Sequence, residues 1–242
     1  MIIYILLMAH FLADFSFQTT NMAQKKINNF RFIIIHSLIY AGTYLVAVFP
    51  LVKFNSAIFP FIIIITSHFF IDWIRKTVDN KFKSKSVMFA SFIVDQTLHI
   101  LILVLLYFLF DLDAAATTIY TNIQKWSYFN NFIIYTLLFL IMWDPVAVFI
   151  KKLFSYILDE KSCVNGENDL QIGRIIGKLE RVIITAFVLC NQFGAIGFVL
   201  TAKSIARYKQ LEDKNFAEKY LVGTLTSASF AFFTTIIFKK LV

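Results

Sequence analysis

The chain has 242 residues, of which 59% are hydrophobic, and it contains 29 Phe but only 7 Gly and 3 Pro. Its mean hydropathy of +0.72 excludes an ordinary water-soluble domain and predicts a multi-pass membrane protein. The formal net charge of +8 does not indicate nucleic-acid binding, because the basic residues fall in short segments between apolar runs. We therefore expect membrane lipids, and no nucleic acid, as partners.

Eight apolar runs follow one another along the chain, and a membrane-spanning helix needs roughly 20 mostly apolar residues. The sequence predicts an all-α, polytopic membrane bundle of about eight transmembrane or re-entrant helices in one integral domain, residues 1–242. Residues 151–172 are predicted to form a cytoplasmic loop or surface helix. The sixth and seventh runs are short, and two short spans or one re-entrant hairpin are both open. The runs are Ile2–Gln18, Phe32–Phe49, Ala57–Ile74, Val87–Phe110, Phe132–Ile150, Ile175–Cys190, Phe193–Ala206 and Leu221–Phe238.

Basic residues alternate with these runs. They cluster after the first, third, fifth and seventh runs and are sparse in the other loops. The positive-inside rule then predicts a cell inner-membrane protein with its basic loops in the cytoplasm and its N-terminus outside. The clusters are Lys25, Lys26 and Arg31; Arg75, Lys76, Lys81, Lys83 and Lys85; Lys151, Lys152 and Lys161; and Arg207, Lys209 and Lys214.

A spacing of four residues between histidine and aspartate occurs three times inside the apolar runs. Residues four apart on an α-helix lie one turn apart on the same face, so each pair can present an imidazole and a carboxylate to one point. The predicted topology puts all three pairs, with His36 and Asp144, in the cytoplasmic half of the bilayer. The pairs are His10 with Asp14, His68 with Asp72 and, in reverse order, Asp95 with His99.

These residues predict a divalent-metal centre. An ionisable group inside a bilayer costs about 2.5–3.5 kcal/mol on insertion scales and therefore needs a partner, which a cation among carboxylates supplies. Histidine and aspartate suit Zn first, with Mn or Fe as alternatives, and a proton relay is the competing interpretation. The predicted ligands are His10, Asp14, His68, Asp72, Asp95 and His99, and His36, Gln18, Gln96 and Asp144 are expected to orient them through hydrogen bonds.

A second set of polar residues is basic and belongs to the sixth and seventh runs. Arg174, Lys178 and Arg181 follow i, i+4, i+7 spacing and share a helical face, and Lys203 and Arg207 again lie four apart. They predict an anion-binding pocket at the cytoplasmic side, since Arg can bind phosphate through two nitrogens and Lys acts as a point charge. Snorkelling towards lipid headgroups is the alternative.

Metal ligands next to basic residues predict a membrane-embedded, metal-dependent hydrolase that acts on a lipid-like or phosphorylated substrate at the cytoplasmic leaflet. A bound metal would generate hydroxide, and the carboxylate of Asp14, Asp72 or Asp95 would transfer the proton. One alternative is a transporter or channel for metal cations or protons, although the almost wholly apolar outer halves favour a closed site. The other is a membrane scaffold or signalling partner with a structural metal.

The last run carries small residues every four positions, at Gly223, Ser227 and Ala231. A stripe of small residues allows two helices to approach closely. We expect close packing of this helix, and it is the predicted contact of a homodimer.

The motifs resemble those of an uncharacterised bacterial family of multi-pass membrane proteins, a domain of unknown function. The resemblance extends over nearly the whole chain and implies an inner-membrane protein. Membrane-bound metal-dependent hydrolases are more loosely similar, as is the superfamily of alkaline ceramidases and adiponectin receptors, in which three histidines hold zinc; here HxxxD stands where HxxxH is expected. The motifs are His10-x-x-x-Asp14-Phe15-x-x-Gln18, Asp95-Gln96-x-x-His99, Gly173-Arg174-x-x-Gly177-x-Leu179-Glu180-Arg181, and Gly197 with Ala202-Lys203-Ser204-Ile205-Ala206-Arg207.

Overall fold

The structure, a computed structural model, describes residues 1–19, 22–23, 25–26, 29–157 and 167–242, with the backbone alone for 167–171. Across these ranges the regular elements are helices and no strand is present, which confirms the all-α prediction. The chain divides into two compact units, Met1–Ile133 and Ile134–Val242. The expectation of one integral domain stays a prediction.

Four long or medium helices and one short helix build the first unit. The first helix leads directly into a π-helical turn, Leu12–Ser16. A sixth helix begins near the end of this unit and continues past its boundary. The helices are α1 (Ile2–Phe11), α2 (Phe30–Ala47), α3 (Phe54–Lys81), α4 (Lys85–Leu109), α5 (Thr118–Gln124) and α6 (Phe129–Trp143).

The second unit contains the rest of α6 and four further helices. Helix α10 packs along α8, and α7 and α9 pack against the same pair. Residues 158–166, within the predicted surface segment 151–172, lie outside the described residues. The four helices are α7 (Pro145–Ile157), α8 (Glu167–Leu189), α9 (Phe193–Ala206) and α10 (Lys214–Lys239).

Side-chain caps mark where several helices begin. Asn29 accepts a hydrogen bond from the backbone nitrogen of Arg31 at 3.0 Å, at the start of α2. Asp213 accepts one from Phe216 at 2.7 Å, at the start of α10. Each cap satisfies a backbone N–H that has no carbonyl partner in the first helical turn, so these loop residues fix where the helices start.

Among the described residues, five helical stretches are long and apolar enough to cross a membrane, and the predicted count of about eight is not supported. The first and seventh runs form apolar helices shorter than a span, over Ile2–Ser16 and Phe193–Ala206. The sixth run belongs to α8, where four charged side chains within little more than two turns lower the apolarity. The five stretches are Phe30–Leu51, Phe54–Lys81, Lys85–Leu109, Phe129–Ile157 and Lys214–Lys239.

Polar residues lie inside the first unit, whereas many large apolar residues lie on its surface. Val46, Phe108 and Leu109 are each more than 70% exposed, while His36 and His68 are 0% exposed. This distribution is the reverse of a water-soluble domain and is typical of helices surrounded by lipid, where ionisable groups face the bundle interior.

Candidate metal centre

Each long helix of the first unit buries one stripe of residues, and the HxxxD spacing lies on that stripe. On α3 the buried residues are Ala57, Pro60 and Ile64, followed by His68 and Asp72. Steps of three or four residues keep a side chain on one helical face, so the stripe changes from apolar to ionisable along the helix. Helix α4 shows the same change in the opposite chain direction, from Asp95 and His99 to Leu103 and Leu106.

Four buried side chains present potential ligand atoms around the contact between His36 and His68: Asp14 Oδ1, His36 Nε2, His68 Nε2 and Asp72 Oδ2. We call these four side chains the tetrad. His36 Nε2 lies 3.0 Å from Asp14 Oδ1 and 3.1 Å from His68 Nε2. His68 Nε2 lies 3.5 Å from Asp14 Oδ1 and 3.6 Å from Asp72 Oδ2, and His36 Nε2 lies 3.5 Å from Asp72 Oδ2.

These separations match the edges of a tetrahedral metal site. Zinc bonds of about 2.0–2.1 Å to nitrogen and oxygen give donor-to-donor distances of about 3.3–3.4 Å in a tetrahedron. Asp14, His36 and His68 form a buried group in which one potential ligand atom from each lies within 4.8 Å of the others. Asp14, His36 and His68 could therefore hold a divalent cation, and Asp72 Oδ2 lies 3.5 Å and 3.6 Å from the two histidine nitrogens.

The tetrad is enclosed. The exposed fraction is 0% for His36 and His68, 5% for Asp72 and 9% for Asp14. Two carboxylates and two imidazole nitrogens that face one another in such a place require protons or a cation between them, because buried charges without partners are very costly.

Lys26 supplies one positive charge beside the tetrad. Its ammonium group donates to Asp72 Oδ2, the same oxygen that faces the two histidines, and 14% of the Lys26 side chain is exposed. The residue lies in the segment between the π-helical turn and α2. Sequence reasoning counted Lys26 only as part of a basic loop and missed this contact.

Two further residues support His68 from its other ring nitrogen. His68 Nδ1 lies 2.6 Å from His99 Nε2, and His99 Nδ1 lies 4.0 Å from Asp95 Oδ1. Arg75 in turn donates from Nη1 to Asp95 Oδ2 at 2.8 Å. The His99 ring thus contacts His68 Nδ1, and the ion pair of Asp95 with Arg75 lies behind His99 at more than hydrogen-bond distance.

Gln96 connects two of the three predicted carboxylate ligands, Asp14 and Asp95. Its Nε2 donates to Asp14 Oδ2 at 2.9 Å and to Asp95 Oδ2 at 3.0 Å. Its Oε1 lies 3.3 Å from His10 Nε2. Gln96 therefore holds Asp14 through the oxygen that does not face the tetrad, and its role in orienting a metal ligand stays a prediction.

His10 contacts Gln96 and Tyr40 rather than the tetrad atoms named above. His10 Nδ1 lies 3.2 Å from the Tyr40 hydroxyl, and the Tyr40 ring stacks on His68 with centroids 3.6 Å apart. The π-helical turn after α1 changes the direction of Asp14 relative to His10, because it does not keep the α-helical rotation per residue. Such turns are common at functional sites.

A second group with ligand potential consists of Asp14, Asp95 and His99, and it shares Asp14 with the tetrad. Among the described residues, His99 Nδ1 and Asp95 Oδ1 are buried atoms without a hydrogen-bond partner, as is His36 Nδ1. Of the six predicted ligands the structure thus places Asp14, His68 and Asp72 in the tetrad, and Asp95 and His99 directly behind it.

Two further residues, Gln18 and Asp144, were expected to orient the ligands, and this role stays a prediction for both. Gln18 is half-buried just after the π-helical turn. Asp144, in the second unit, forms an ion pair with Lys178. The Lys178 ammonium also lies 5.2 Å from the centre of the Trp143 ring.

The predicted anion-binding residues of the second unit are largely engaged with groups of the protein. Lys203 pairs with the carboxylate of Glu180 and donates to Thr224 Oγ1 at 3.0 Å. With the Lys178 pair, two of the five predicted cations therefore have anionic partners. Arg174 is exposed and Arg207 is half-buried.

Arg181 is buried where α6 ends and α7 begins. It donates from Nε to the Met142 carbonyl at 2.8 Å and from Nη2 to the Trp143 carbonyl at 3.5 Å. Its Nη1 donates to Ser227 Oγ at 3.3 Å. Pro145 has no N–H to continue the helix, and Arg181 compensates for the backbone donors missing at this break.

The small-residue stripe of α10 packs inside the second unit. Ser227 and Ala231 are 6% and 0% exposed, and a Cβ on Gly223 would lie 3.2 Å from the Phe154 ring. Close helix packing thus accounts for the stripe, and a homodimer through α10 stays a prediction that would need another face of the helix.

These features define an all-helical protein with helices suited to cross a membrane and a buried His/Asp cluster between the first four. The family described as "Protein of unknown function (DUF3307)" matches residues 2–129, and the chain belongs to this family. The match confirms membership of an uncharacterised family and contains the whole tetrad, but it does not extend to the second-unit motifs. No curated protein and no solved structure matches, so the looser likeness to membrane-bound hydrolases is not shown.

Proposed function

We propose that the protein is a membrane-embedded, metal-dependent hydrolase of a lipid-like or phosphorylated substrate, with the tetrad as its metal centre. The observation that carries the proposal is the set of tetrad distances, 3.0–3.6 Å between donor atoms of Asp14, His36, His68 and Asp72. Zinc is favoured because imidazole and carboxylate ligands at these separations suit it, whereas Mn and Fe usually take more ligands.

We assign different roles to the two tetrad carboxylates. Asp14 is held by Gln96 through its second oxygen and lies in the buried three-residue group, so it acts as a fixed ligand with His36 and His68. Asp72 shares its facing oxygen with Lys26 and is the more readily exchanged group. Catalytic zinc sites use three protein ligands and leave one position open for water or substrate.

Catalysis then follows from the chemistry of such a centre. A divalent metal lowers the pKa of bound water and polarises the bond under attack. Asp72 accepts the proton of the attacking water and returns it to the leaving group, with Lys26 beside it. Asp95, which pairs with Arg75, is assigned a supporting place behind His99 rather than a catalytic role. This assignment removes Asp95 from the three carboxylates that the sequence suggested for proton transfer.

The surroundings of the tetrad support a lipid-like substrate. Phe17 and Phe30, at the two ends of the segment that carries Lys26, are about half exposed at 50% and 47%. The positive-inside rule puts the basic segment after the first run in the cytoplasm. The end of the bundle that carries Lys26 would then face the inner leaflet of a cell inner membrane. A substrate with an apolar chain could approach the tetrad from lipid.

The interior beyond the tetrad favours a closed site over a transport path. The hydrogen bonds that lead from His10 through Tyr40 and Tyr44 end where the Tyr44 hydroxyl donates to the Leu6 carbonyl at 2.9 Å. Farther along, the buried stripes are formed by apolar side chains, among them Ile64, Leu103 and Leu106. An ion that crossed the membrane would have to pass this apolar layer.

The test begins with metal content. Full-length protein, purified in detergent without chelators and loaded with Zn, is expected to retain about one equivalent by mass spectrometry. His68→Ala and His36→Ala should lose it, whereas Tyr44→Phe, a buried control outside the tetrad, should keep it. A wild type that retains no Zn, Mn or Fe would remove the chemical basis of the proposal.

The second step tests hydrolysis directly. Metal-loaded protein in nanodiscs is incubated with phosphoester and amide lipids, and released products are detected by mass spectrometry. Product formation in wild type and Tyr44→Phe, but not in His68→Ala, supports a hydrolase. If metal is bound and no member of either lipid class is cleaved, while metal flux occurs in liposomes, the transporter interpretation replaces it.

A further inference from the structure

We infer that Lys26 is the group that binds an anionic phosphate oxygen of the substrate, so that the first unit carries its own anion site next to the tetrad. The inference rests on the proposed hydrolase function and narrows its substrate class to phosphate-bearing lipids. It also moves anion recognition away from the second-unit cations that the sequence suggested.

The position of Lys26 is the first argument. Its ammonium and the tetrad histidines meet at one atom, Asp72 Oδ2, which lies 3.5 Å from His36 Nε2 and 3.6 Å from His68 Nε2. Only this one carboxylate oxygen therefore separates the Lys26 ammonium from a metal that the tetrad would hold. A single anion would be able to contact both cations. Phosphate, with several oxygens around one centre, can contact both cations at once.

The charge of the assembled centre is the second argument. Asp14 and Asp72 contribute two negative charges, Lys26 contributes one positive charge, and the two imidazoles are neutral as ligands. A divalent ion then leaves this group of side chains with a net charge of +1. In an enclosed site of low dielectric, an excess charge of this sign favours an anion as the remaining ligand.

Access is the third argument. Lys26, with 14% of its side chain exposed, is more accessible than the tetrad members His36, His68 and Asp72. A substrate headgroup that reaches the tetrad by this route meets the Lys26 ammonium before it meets the ligands. The half-exposed Phe17 and Phe30 flank the same segment and suit an attached acyl or isoprenoid chain.

Another cation of the first unit, Arg75, is engaged by carboxylates that do not belong to the tetrad. Arg75 contacts Asp95 at 2.8 Å and Asp79 at 3.8 Å, and its guanidinium lies 5.3 Å from the centre of the Phe92 ring. Lys26 differs because its partner Asp72 belongs to the tetrad itself. A metal bound in the tetrad would attract the carboxylate of Asp72 and weaken its ion pair with Lys26. The Lys26 ammonium would then be able to bind an anion of the substrate.

The experiment uses inorganic phosphate as the probe and Zn-loaded, full-length protein in detergent. Phosphate affinity is measured by calorimetry for wild type, Lys26→Gln, Lys26→Arg and the neighbouring control Lys25→Gln, whose exposed ammonium lies over Phe32. We expect Lys26→Gln to weaken phosphate binding by about tenfold or more, with Zn content unchanged. Lys26→Arg should restore most of it, and Lys25→Gln should match wild type.

A second arm separates free phosphate from a lipid headgroup. Nanodiscs with and without phosphatidic acid are compared, and competition by the lipid in wild type but not in Lys26→Gln supports a phosphate-bearing lipid. Binding of inorganic phosphate without such competition would limit the site to water-soluble phosphates and overturn the lipid class.

Equal phosphate affinity of Zn-loaded wild type and Lys26→Gln would overturn the role of Lys26 while the metal centre stands. Loss of Zn from both Lys26→Gln and Lys26→Arg would also overturn it, because Lys26 would then serve the metal centre itself. Absence of metal from wild type is a different result, since it rejects the hydrolase proposal before any phosphate is added.

Discussion

The two units of the protein bury ionisable side chains differently, because the first unit holds the tetrad in addition to ion pairs such as Lys26 with Asp72 and Arg75 with Asp95. In the second unit, Lys178 pairs with Asp144, Lys203 pairs with Glu180, and Arg181 donates to backbone carbonyls. In the first unit, potential ligand atoms of Asp14, His36 and His68 face one another within 3.0–3.5 Å. A paired network stabilises the fold without a ligand, whereas this cluster of carboxylate and imidazole atoms is complete only with a cation or protons.

This difference separates two kinds of buried polar group that look alike in the sequence. Both kinds occupy apolar runs and both repeat at helical spacing. The sign of the charges decides between them, because the second unit mixes Lys, Arg, Asp and Glu while the tetrad contains only His and Asp. The predictions below test the contrast by removing either the ligands or the internal partners.

Removal of a tetrad ligand should produce the largest effect. Asp14→Ala and His68→Ala each delete one donor atom of a four-atom site, and metal affinity should fall by more than ~100-fold, beyond the loss that an orienting residue causes. Competition with a fluorescent chelator measures the affinity. Arg181→Ala in the second unit serves as the control, and equal losses in all three variants would show that the effect comes from unfolding.

Breaking the Glu180–Lys203 pair should be the next largest effect, and it should be on stability alone. Glu180 is 4% exposed, so Lys203→Met leaves its carboxylate buried without a partner, and we expect a loss of about 3 kcal/mol. The partial exposure of Lys203, 19% of its side chain, keeps this figure at the low end of buried pairs.

The double variant Glu180→Leu with Lys203→Met sharpens the test, because it removes both charges and should recover most of the loss. Unfolding in detergent by denaturant measures both variants, and their metal content should equal wild type. A double variant as unstable as the sum of the singles would contradict a self-contained pair.

The support behind His68 should have an intermediate effect on metal binding. His99→Gln and Asp95→Asn weaken the chain that holds His68 Nδ1, 2.6 Å from His99 Nε2, and metal affinity should fall about 10–100-fold while metal still binds at saturation. The chelator competition assay compares them with Asp14→Ala. If either variant loses as much affinity as Asp14→Ala, the substituted residue is itself a ligand. The group of Asp14, Asp95 and His99 would then bind the metal together with the tetrad.

The buried stripe explains why the sequence located so much of the tetrad. His68 and Asp72 continue the buried row of Ala57, Pro60 and Ile64, so a four-residue spacing inside an apolar run was enough to predict that both side chains face the interior. The antiparallel order Asp95–His99 placed a third pair at the same level. His36 had no aspartate at this spacing, and its place in the tetrad follows from packing between helices.

Other features have no signature at the level of single residues. Lys26 contacts the tetrad from a segment in which every Lys equally satisfies the positive-inside rule. The π-helical turn Leu12–Ser16 turns Asp14 away from His10, and an α-helical spacing cannot anticipate this. The sixth run was predicted to form a short span or part of a re-entrant hairpin, but α8 begins at Glu167 and includes charged residues that pair within the second unit.

The smallest effect should come from the hydroxyl chain that continues from the tetrad into the apolar core. Tyr44 donates to the Leu6 carbonyl at 2.9 Å, and Tyr40 donates to Tyr44 at 3.3 Å. Tyr44→Phe removes both contacts but keeps the ring, so we expect a loss of about 1 kcal/mol in unfolding free energy and unchanged metal affinity. Tyr40→Phe should also keep the ring that stacks on His68. A drop in metal affinity for Tyr44→Phe would mean that the polar cluster extends functionally beyond the tetrad towards the apolar layer, and the contrast between a closed centre and a conducting path would have to be reopened.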